Sequence, residues 1–471
     1  MIRTFRILNS ILIIIVFTTL SISSTASTIE FRNNVKPGLN ILTADIIIPD
    51  DFSSIQKGID NATTYDTIFV RNGLYNEKIV INKTIFLNGE SKENCIITDD
   101  FSYDSSTITL KKENIELSNF TIKAESNAES ISVKSDKCTI SNILSLGEIA
   151  ISSNNNSVIN NTINTDSYWA IFIWHGSSNN YIHNNVINTD QSGIFFLANC
   201  KNNTVRENKI NADDKSITIW ANNNIIVDNI MNKGGISLYR DYENVIINNT
   251  VNDLPLLFLK NEKDKFFDQE YGQIIVVNCS NISIEKQNFY DVCYGIQIYK
   301  SNNCRIQKSS FSNSNPFIIK YEGIIIRSCE NIEILKNTFS RIDAINAYES
   351  YNITISYNQF GCCRRAIDLN SCNSTWITRN NFLKNSLDID FRLCSNTKVI
   401  ENNFLDYIGI YTDFWEEPKA DNKWHKNYWG RYRFFPKIIT GFTVYESDSP
   451  FPVLRRCIKV DWHPARRPYD I

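Results

Sequence analysis

Val158-Ile159-Asn160-Asn161-Thr162-Ile163 and Val399-Ile400-Glu401-Asn402-Asn403-Phe404 are the same phrase: an apolar pair, a polar residue, then Asn-x-apolar. Its key residue recurs at Asn142, Asn161, Asn185, Asn208, Asn229, Asn249, Gln287, Ser309, Asn337, Asn358, Asn380 and Asn402. The steps are 19, 24, 23, 21, 20, 38, 22, 28, 21, 22 and 22 residues. A sustained period near 22 residues is the mark of a solenoid, in which each repeat buries its apolar face only by stacking on its neighbours.

A second strand lies upstream within each period. Ala170-Ile171-Phe172-Ile173, Gly193-Ile194-Phe195-Phe196, Gly235-Ile236-Ser237-Leu238, Gly295-Ile296-Gln297-Ile298 and Ala366-Ile367-Asp368-Leu369 show it. Apolar residues alternate there, as in strands with one buried face. Several short strands per period, without helical spacing, predict an all-β fold: a right-handed single-stranded parallel β-helix over residues 44–411. Proline agrees. Between residues 50 and 417 the only prolines are Pro255 and Pro316, and both fall in the two over-long steps. Proline lacks the N–H that a stacked strand donates.

The recurring asparagine has a structural reading. Stacked coils place it in a column, where each amide bonds to the coil on either side and satisfies buried polar groups. Cys279, Cys329, Cys372 and Cys394, with Ser301 and Ser350 on the levels between, form a second column of small inward residues. Free cysteine behaves there as a small hydrophobe. Adjacent levels also bring Cys372 and Cys394 within disulfide reach, an alternative the spacing leaves open.

The ends differ from the body. Arg3 and Arg6, the apolar run Ile7 to Ile22 and Ser24-Thr25-Ala26 read as a secretory signal peptide over residues 1–26, with an uncleaved anchor as the alternative. No later run is apolar enough to span a bilayer. The mature chain is expected to be secreted or on the cell surface. Asp51 to Ile59 carries apolar residues at helical spacing and predicts a short helix near 51–60 plugging the first coil. Residues 412–471 hold six of the ten prolines and four of the eight tryptophans, at net +3, against −8 for residues 27–411. They read as a folded C-terminal cap drawn to an acidic body.

The whole chain has 471 residues and a net charge of −3. That balance speaks against nucleic acid as a partner. Four histidines and two methionines, one of them Met1, are a poor inventory for a soft-metal site. No metal ligand set or cofactor motif stands out.

Alternation also places outward side chains, one and three residues after each inward strand start. The third-position column reads Trp174, Leu197, Trp220, Tyr239, Val277, Tyr299, Arg327, Tyr348, Asn370, Arg392, Tyr411, and six of these eleven are aromatic. Trp174, Trp220, Tyr239, Tyr299, Tyr348 and Tyr411 are therefore candidates for stacking on sugar rings. The competing explanation is that aromatics suit β surfaces in any case. The first-position column holds Asp368 and Asp390 on adjacent levels, with Arg392 beside them. Two carboxylates ~5 Å apart suit retaining glycoside hydrolysis. An ion-paired surface is the alternative, with Arg392 pairing Asp390 or Asp368.

Several stretches resemble known families. Ile47-Ile48-Pro49-Asp50-Asp51-Phe52, Ile55-Gln56, Thr67-Ile68-Phe69-Val70, Gly73 and Tyr75 resemble the start of secreted pectin-lyase-like β-helix proteins. The repeats, with Pro255-Leu256, Asn261, Gly272-Gln273-Ile274 and Asn278-Cys279-Ser280, resemble the NosD-like family, whose fold is also called the carbohydrate-binding and sugar-hydrolase domain. Asn427-Tyr428-Trp429-Gly430, Pro436-Lys437 and Asp461-Trp462-His463-Pro464-Ala465 are similar to tails of archaeal surface proteins of this type. The outward columns and the resemblance together leave three roles. The first is a non-catalytic surface protein that binds extracellular polysaccharide or forms part of the envelope. The second is a glycoside hydrolase or polysaccharide lyase using Asp368, Asp390 and Arg392. The third is an accessory in copper-enzyme maturation, which the scattered His175, His183, His425 and His463 do little to support.

Overall fold

The computed structural model describes residues 44–471 apart from 100–105, 126–127, 240–241, 315–320, 407–411, 417–419, 432–434 and 446–452. The expected signal segment, Pro316 and Tyr411 lie outside the described residues. The chain is a parallel β-helix in two halves. In the first half, a front sheet of eight strands ends on Ile236–Leu238 and a side sheet of ten strands ends on Val245–Ile247. In the second half, the front sheet carries Gln273–Val277, Tyr294–Tyr299, Glu322–Arg327, Asp343–Tyr348, Arg365–Asn370 and Leu387–Arg392. Its side sheet has eight strands and its back sheet seven.

The asparagine column is a hydrogen-bonded ladder. Asn161 donates its backbone N–H to Asn185 Oδ1 at 2.9 Å, and Asn185, Asn208 and Asn229 repeat this toward Asn208, Asn229 and Asn249. Each side-chain amide also donates to a carbonyl of the preceding coil, as Asn208 does to Ile182 at 2.9 Å. The residue before each ladder asparagine is left-handed: Asn160, Asn184, Glu207, Asp228 and Asn248 have φ of 52 to 57°. This makes the sharp corner and explains the recurrent Asn-Asn, since asparagine tolerates that backbone. The expected first rung is corrected by one residue. Asn142 occupies the left-handed corner (φ 52°), and the N–H of Ile143 meets Asn161. A second ladder, unforeseen, runs through Asn156, Asn180, Asn203, Asn224 and Asn244 at the preceding corner.

In the second half an equivalent ladder runs through Asn337, Asn358, Asn380, Asn402 and Asn427. The other corner is taken by the cysteine–serine column. Cys279 N–H donates to Ser301 Oγ, Ser301 N–H to Cys329 Sγ, and Cys329 N–H to Ser350 Oγ. Cys372 and Cys394 are free thiols, both buried. Inside the back sheet Phe289, Phe311, Phe339, Phe360, Phe382, Phe404 and Trp429 stack at centroid spacings of 4.5 to 5.1 Å.

The halves join at the 38-residue step. Asn252 and Asp253, both with positive φ, form a two-residue turn. Thr250–Val251 then pairs antiparallel with Leu254–Lys260, which opens the second front sheet through its parallel pairing with Gln273–Val277. Pro255 sits at this reversal. The last front strand of the first half, Ile236–Leu238, is thereby left without a next coil. Side chains of the second half replace it. Ile236 N–H donates to Gln273 Oε1 and Leu238 N–H to Gln297 Oε1, while Gln273, Gln297 and the Tyr299 hydroxyl donate to the Ile236 and Leu238 carbonyls.

At the N-terminal end the helix α1 spans Ile55–Asn61, shorter than expected, with Ile55 and Ile59 buried over the first coil. Ser54 caps it, and the Glu77 carboxylate accepts from the Ile55 and Gln56 N–H groups. At the other end Asp461 closes the ladder. Its carboxylate accepts from the backbone N–H groups of Lys426 and Asn427 and from Trp429 Nε1. Tyr469 bonds Asn403 through its backbone.

Candidate functional site

The outward face of the first front sheet is a mesh of rings. Trp169 stacks on Phe172 at 4.6 Å; Phe172 meets Trp174 edge-on at 4.7 Å; Phe195 meets Trp220 at 5.1 Å; Trp220 meets Tyr239 at 5.1 Å. The strand register places Phe172 beside Phe195. Their neighbours cover these two, whereas Trp174 and Trp220 stay 44% and 39% exposed. Such an arrangement offers flat apolar ring faces with indole N–H groups at the rim.

At the reversal this face meets the front sheet of the second half. The Arg327 guanidinium lies 4.9 Å from the Tyr239 ring and 5.2 Å from the Tyr348 ring, one from each half. Members of one predicted outward column, from the two halves, thus converge at one corner. Tyr239 and Tyr348 are half-buried there. Tyr299 is a correction. It does point outward from its own sheet, but it is 1% exposed because that surface seals the end of the first half. Tyr411 lies outside the described residues, and the register puts Trp415, not Tyr411, beside Arg392.

Asp368 and Asp390 stand on adjacent levels, as do Asn370 and Arg392. Asp368 is buried and held from two sides: Arg392 Nη2 reaches both its oxygens at 2.9 and 3.0 Å, and Arg365 Nη1 reaches Oδ2 at 2.8 Å. Arg392 Nη2 also approaches Asp390 at 3.7 Å. Asn346 Oδ1 and Arg392 Nε, which flank Asp368, are buried without hydrogen-bond partners. Toward the corner, Asn346 Nδ2 donates to Glu322. Burial pushes the Glu322 carboxyl up to about 7. The Asn346 bond works against this, Asp343 adds to it, and Lys215 and Arg364 oppose it. Sequence reasoning missed Glu322, because its neighbours Lys215 and Asn346 come from different coils and different halves.

A family model described as periplasmic copper-binding protein (NosD) matches residues 147–264 and 259–433, over half of the chain. The chain belongs to the NosD family. That family description gives an extracytoplasmic setting, and among the described residues no helix is long and apolar enough to cross a membrane. A search of curated proteins returns no significant match. Among solved structures the chain is similar to the catalytic domain of a GH87 alpha-1,3-glucanase, at 11% identity and a TM-score of 0.33, covering 68% of this chain and 66% of that one. It is similar to the Azotobacter vinelandii mannuronan C-5 epimerase AlgE4 A-module at 12% identity and 0.31, covering 73% and 92%. It is also similar to the PL6 family polysaccharide lyase Pedsa3628 from Pseudopedobacter saltans at 13% and 0.27, covering 65% and 82%. At these scores the likenesses carry no argument about activity.

The copper in the NosD description requires a donor set, and the described residues do not supply one. Met231 is fully buried in the core. His175 Nε2 bonds Asn199, and His183 stacks on Tyr181 beside Glu207. His425 and His463 are near each other, with ring centroids 5.4 Å apart. Their neighbour Asp461 is already committed to backbone and indole N–H groups. Cys279, Cys329 and Cys372 turn their thiols to backbone carbonyls. Among the described residues no group of three or more His, Cys, Asp or Glu gathers as a metal site would require.

Proposed function

We propose that this NosD-family β-helix is a non-catalytic extracytoplasmic protein that binds extracellular polysaccharide, or the polysaccharide of its own envelope, on the aromatic front face of its first half. One observation carries the reading. Trp174 and Trp220 remain exposed at the crest of a ring mesh that runs unbroken to Tyr239 and the Arg327 sandwich. Rings of this kind stack on the apolar faces of sugars, and the arginine at the corner offers N–H groups to hydroxyls. Replacing Trp174 and Trp220 together by alanine is expected to abolish retention on polysaccharide while leaving the unfolding midpoint unchanged. Retention equal to the wild type rejects the face as the site.

A second reading, hydrolysis or lysis of a glycan at the charged part of the same corner, is favoured by the two orphaned polar atoms beside Asp368 and by the Glu322 carboxyl that titrates near neutrality. It predicts that Asp390→Asn removes sugar release from a folded protein. Release that persists in that variant removes Asp390 from any such role.

A further inference from the structure

The side sheet of the second half carries a different feature. The second residue of each of four consecutive strands, Asn281, Asn303, Asn331 and Asn352, has φ between 52 and 56°. Left-handed backbone at that point bends the strand within the sheet, and the outward side chains before and after the bend lean toward each other. Repeated on four levels, the bend becomes a groove along the solenoid axis with a volume of about 300 Å³.

Its floor is a rail of amides. Asn331 Nδ2 donates to Asn303 Oδ1 at 3.0 Å, and Asn352 Nδ2 to Asn331 Oδ1 at 2.6 Å. Its wall is a column in lateral register: Ser283, Arg305, Glu333, Thr354. Arg305 Nε and Glu333 Oε2 are paired at 2.6 Å, so the wall has no net charge.

The same register continues past both ends of the groove and reaches an aromatic ring each time. Phe266 pairs with Ser283 and Trp376 with Thr354. Phe266 is 58% exposed and Trp376 40%. Lys398, on the level beyond Trp376, lies 4.0 Å from its ring centroid, on the side away from the groove. The two rings are five levels apart, roughly 24 Å at the spacing of neighbouring strands.

We propose that this groove is a second binding site, for an uncharged linear polysaccharide lying along the solenoid axis. Phe266 and Trp376 stack on sugars at the two ends, and the amide rail and the Ser283 and Thr354 hydroxyls bond the sugar hydroxyls between them. The chemistry selects this class. The groove has no apolar pocket for a peptide side chain. The four strands that form it lie inside a sheet, so the groove itself offers no free edge to an added strand. Its cation is neutralised by Glu333, which leaves little to hold a polyanion. The site lies on a different sheet from the aromatic front face and does not depend on that reading.

The test is calorimetric titration of the full chain with malto- and cello-oligosaccharides of about six sugars, and with a uronate oligomer of equal length. Two variants act by different means: Thr354→Trp fills the groove, and Phe266→Ala with Trp376→Ala removes its ends. Both change outward positions, and their unfolding midpoints are measured alongside. The expected result is binding of a neutral oligomer by the wild type, weakened about tenfold or more in each variant. Equal affinity in wild type and both variants, preference for the uronate, or no binding of either neutral oligomer overturns the proposal.

Discussion

Two residues after each ladder asparagine, the first half buries an aliphatic side chain, Ile163, Ile187, Ile210, Met231 or Val251, whereas the second half buries a ring, Phe289 through Phe404. On the outer front face the order is reversed. The first half shows Trp174, Trp220 and Tyr239, and the second turns from Tyr299 and Tyr348 to Asp368, Asp390 and Arg392. Both halves stack coils of similar length on asparagine ladders of the same kind. Aromatic side chains are therefore not required at every outer level of such a sheet, since beyond Tyr348 the second half continues it with Asn370 and Arg392. That contrast weakens the view that the exposed rings merely suit a β surface and strengthens their reading as a binding face.

Substitutions at equivalent positions sharpen the comparison. The largest effect is expected from Phe360→Ala, which breaks the ring stack between Phe339 and Phe382 and costs about 4 kcal/mol of stability. Equilibrium urea unfolding measures it. If Ile187→Ala, its aliphatic counterpart, costs more, the stack is not the stronger core. Next comes Asn208→Ala. It strands the Asn185 N–H and takes one partner each from the Asn185 amide, which keeps its bond to Val158, and from the Ile182 carbonyl, at about 3 kcal/mol. A change under about 0.5 kcal/mol means that buried water replaces the ladder.

An effect of similar size, visible only through pH, lies at the corner between the halves. The folded chain keeps a proton on Glu322 that the unfolded chain has released between pH 4.5 and about 7. The stability tied to this group is fully present below pH 4.5 and declines as pH rises through about 7, by on the order of 3 kcal/mol. Glu322→Gln is expected to flatten the dependence of the urea midpoint on pH between 5 and 8. An unaltered slope means that Glu322 is not buried in the folded protein.

The period of the sequence made the coil, the ladder and the cysteine–serine column legible, because a solenoid repeats its environment at a fixed spacing. The ring stack was also written there, as Asn337-Thr338-Phe339 and Asn358-Gln359-Phe360, yet apolar patterning alone does not separate a stack of rings from a stack of aliphatics. The junction was legible only as a long step around Pro255. The bonds from Gln273 and Gln297 to Ile236 span 37 and 61 residues, and no local pattern announces them. Tyr299 shows the same limit. Alternation tells which way a side chain points from its own strand, and nothing of what another half of the molecule lays over it. Arg327 shows the converse, since Tyr239, far from it in the same predicted column, meets it only because the chain reverses at Asn252-Asp253.

The claim that the aromatic front face binds polysaccharide without cutting it is tested most directly by one glycan-array screen of residues 27–471. The wild type and the Trp174→Ala, Trp220→Ala double variant are compared, and every glycan bound is then assayed for new reducing ends. The account predicts binding by the wild type, loss of that signal in the variant and no release of sugar. Undiminished binding by the variant, or new reducing ends from a bound glycan, contradicts it.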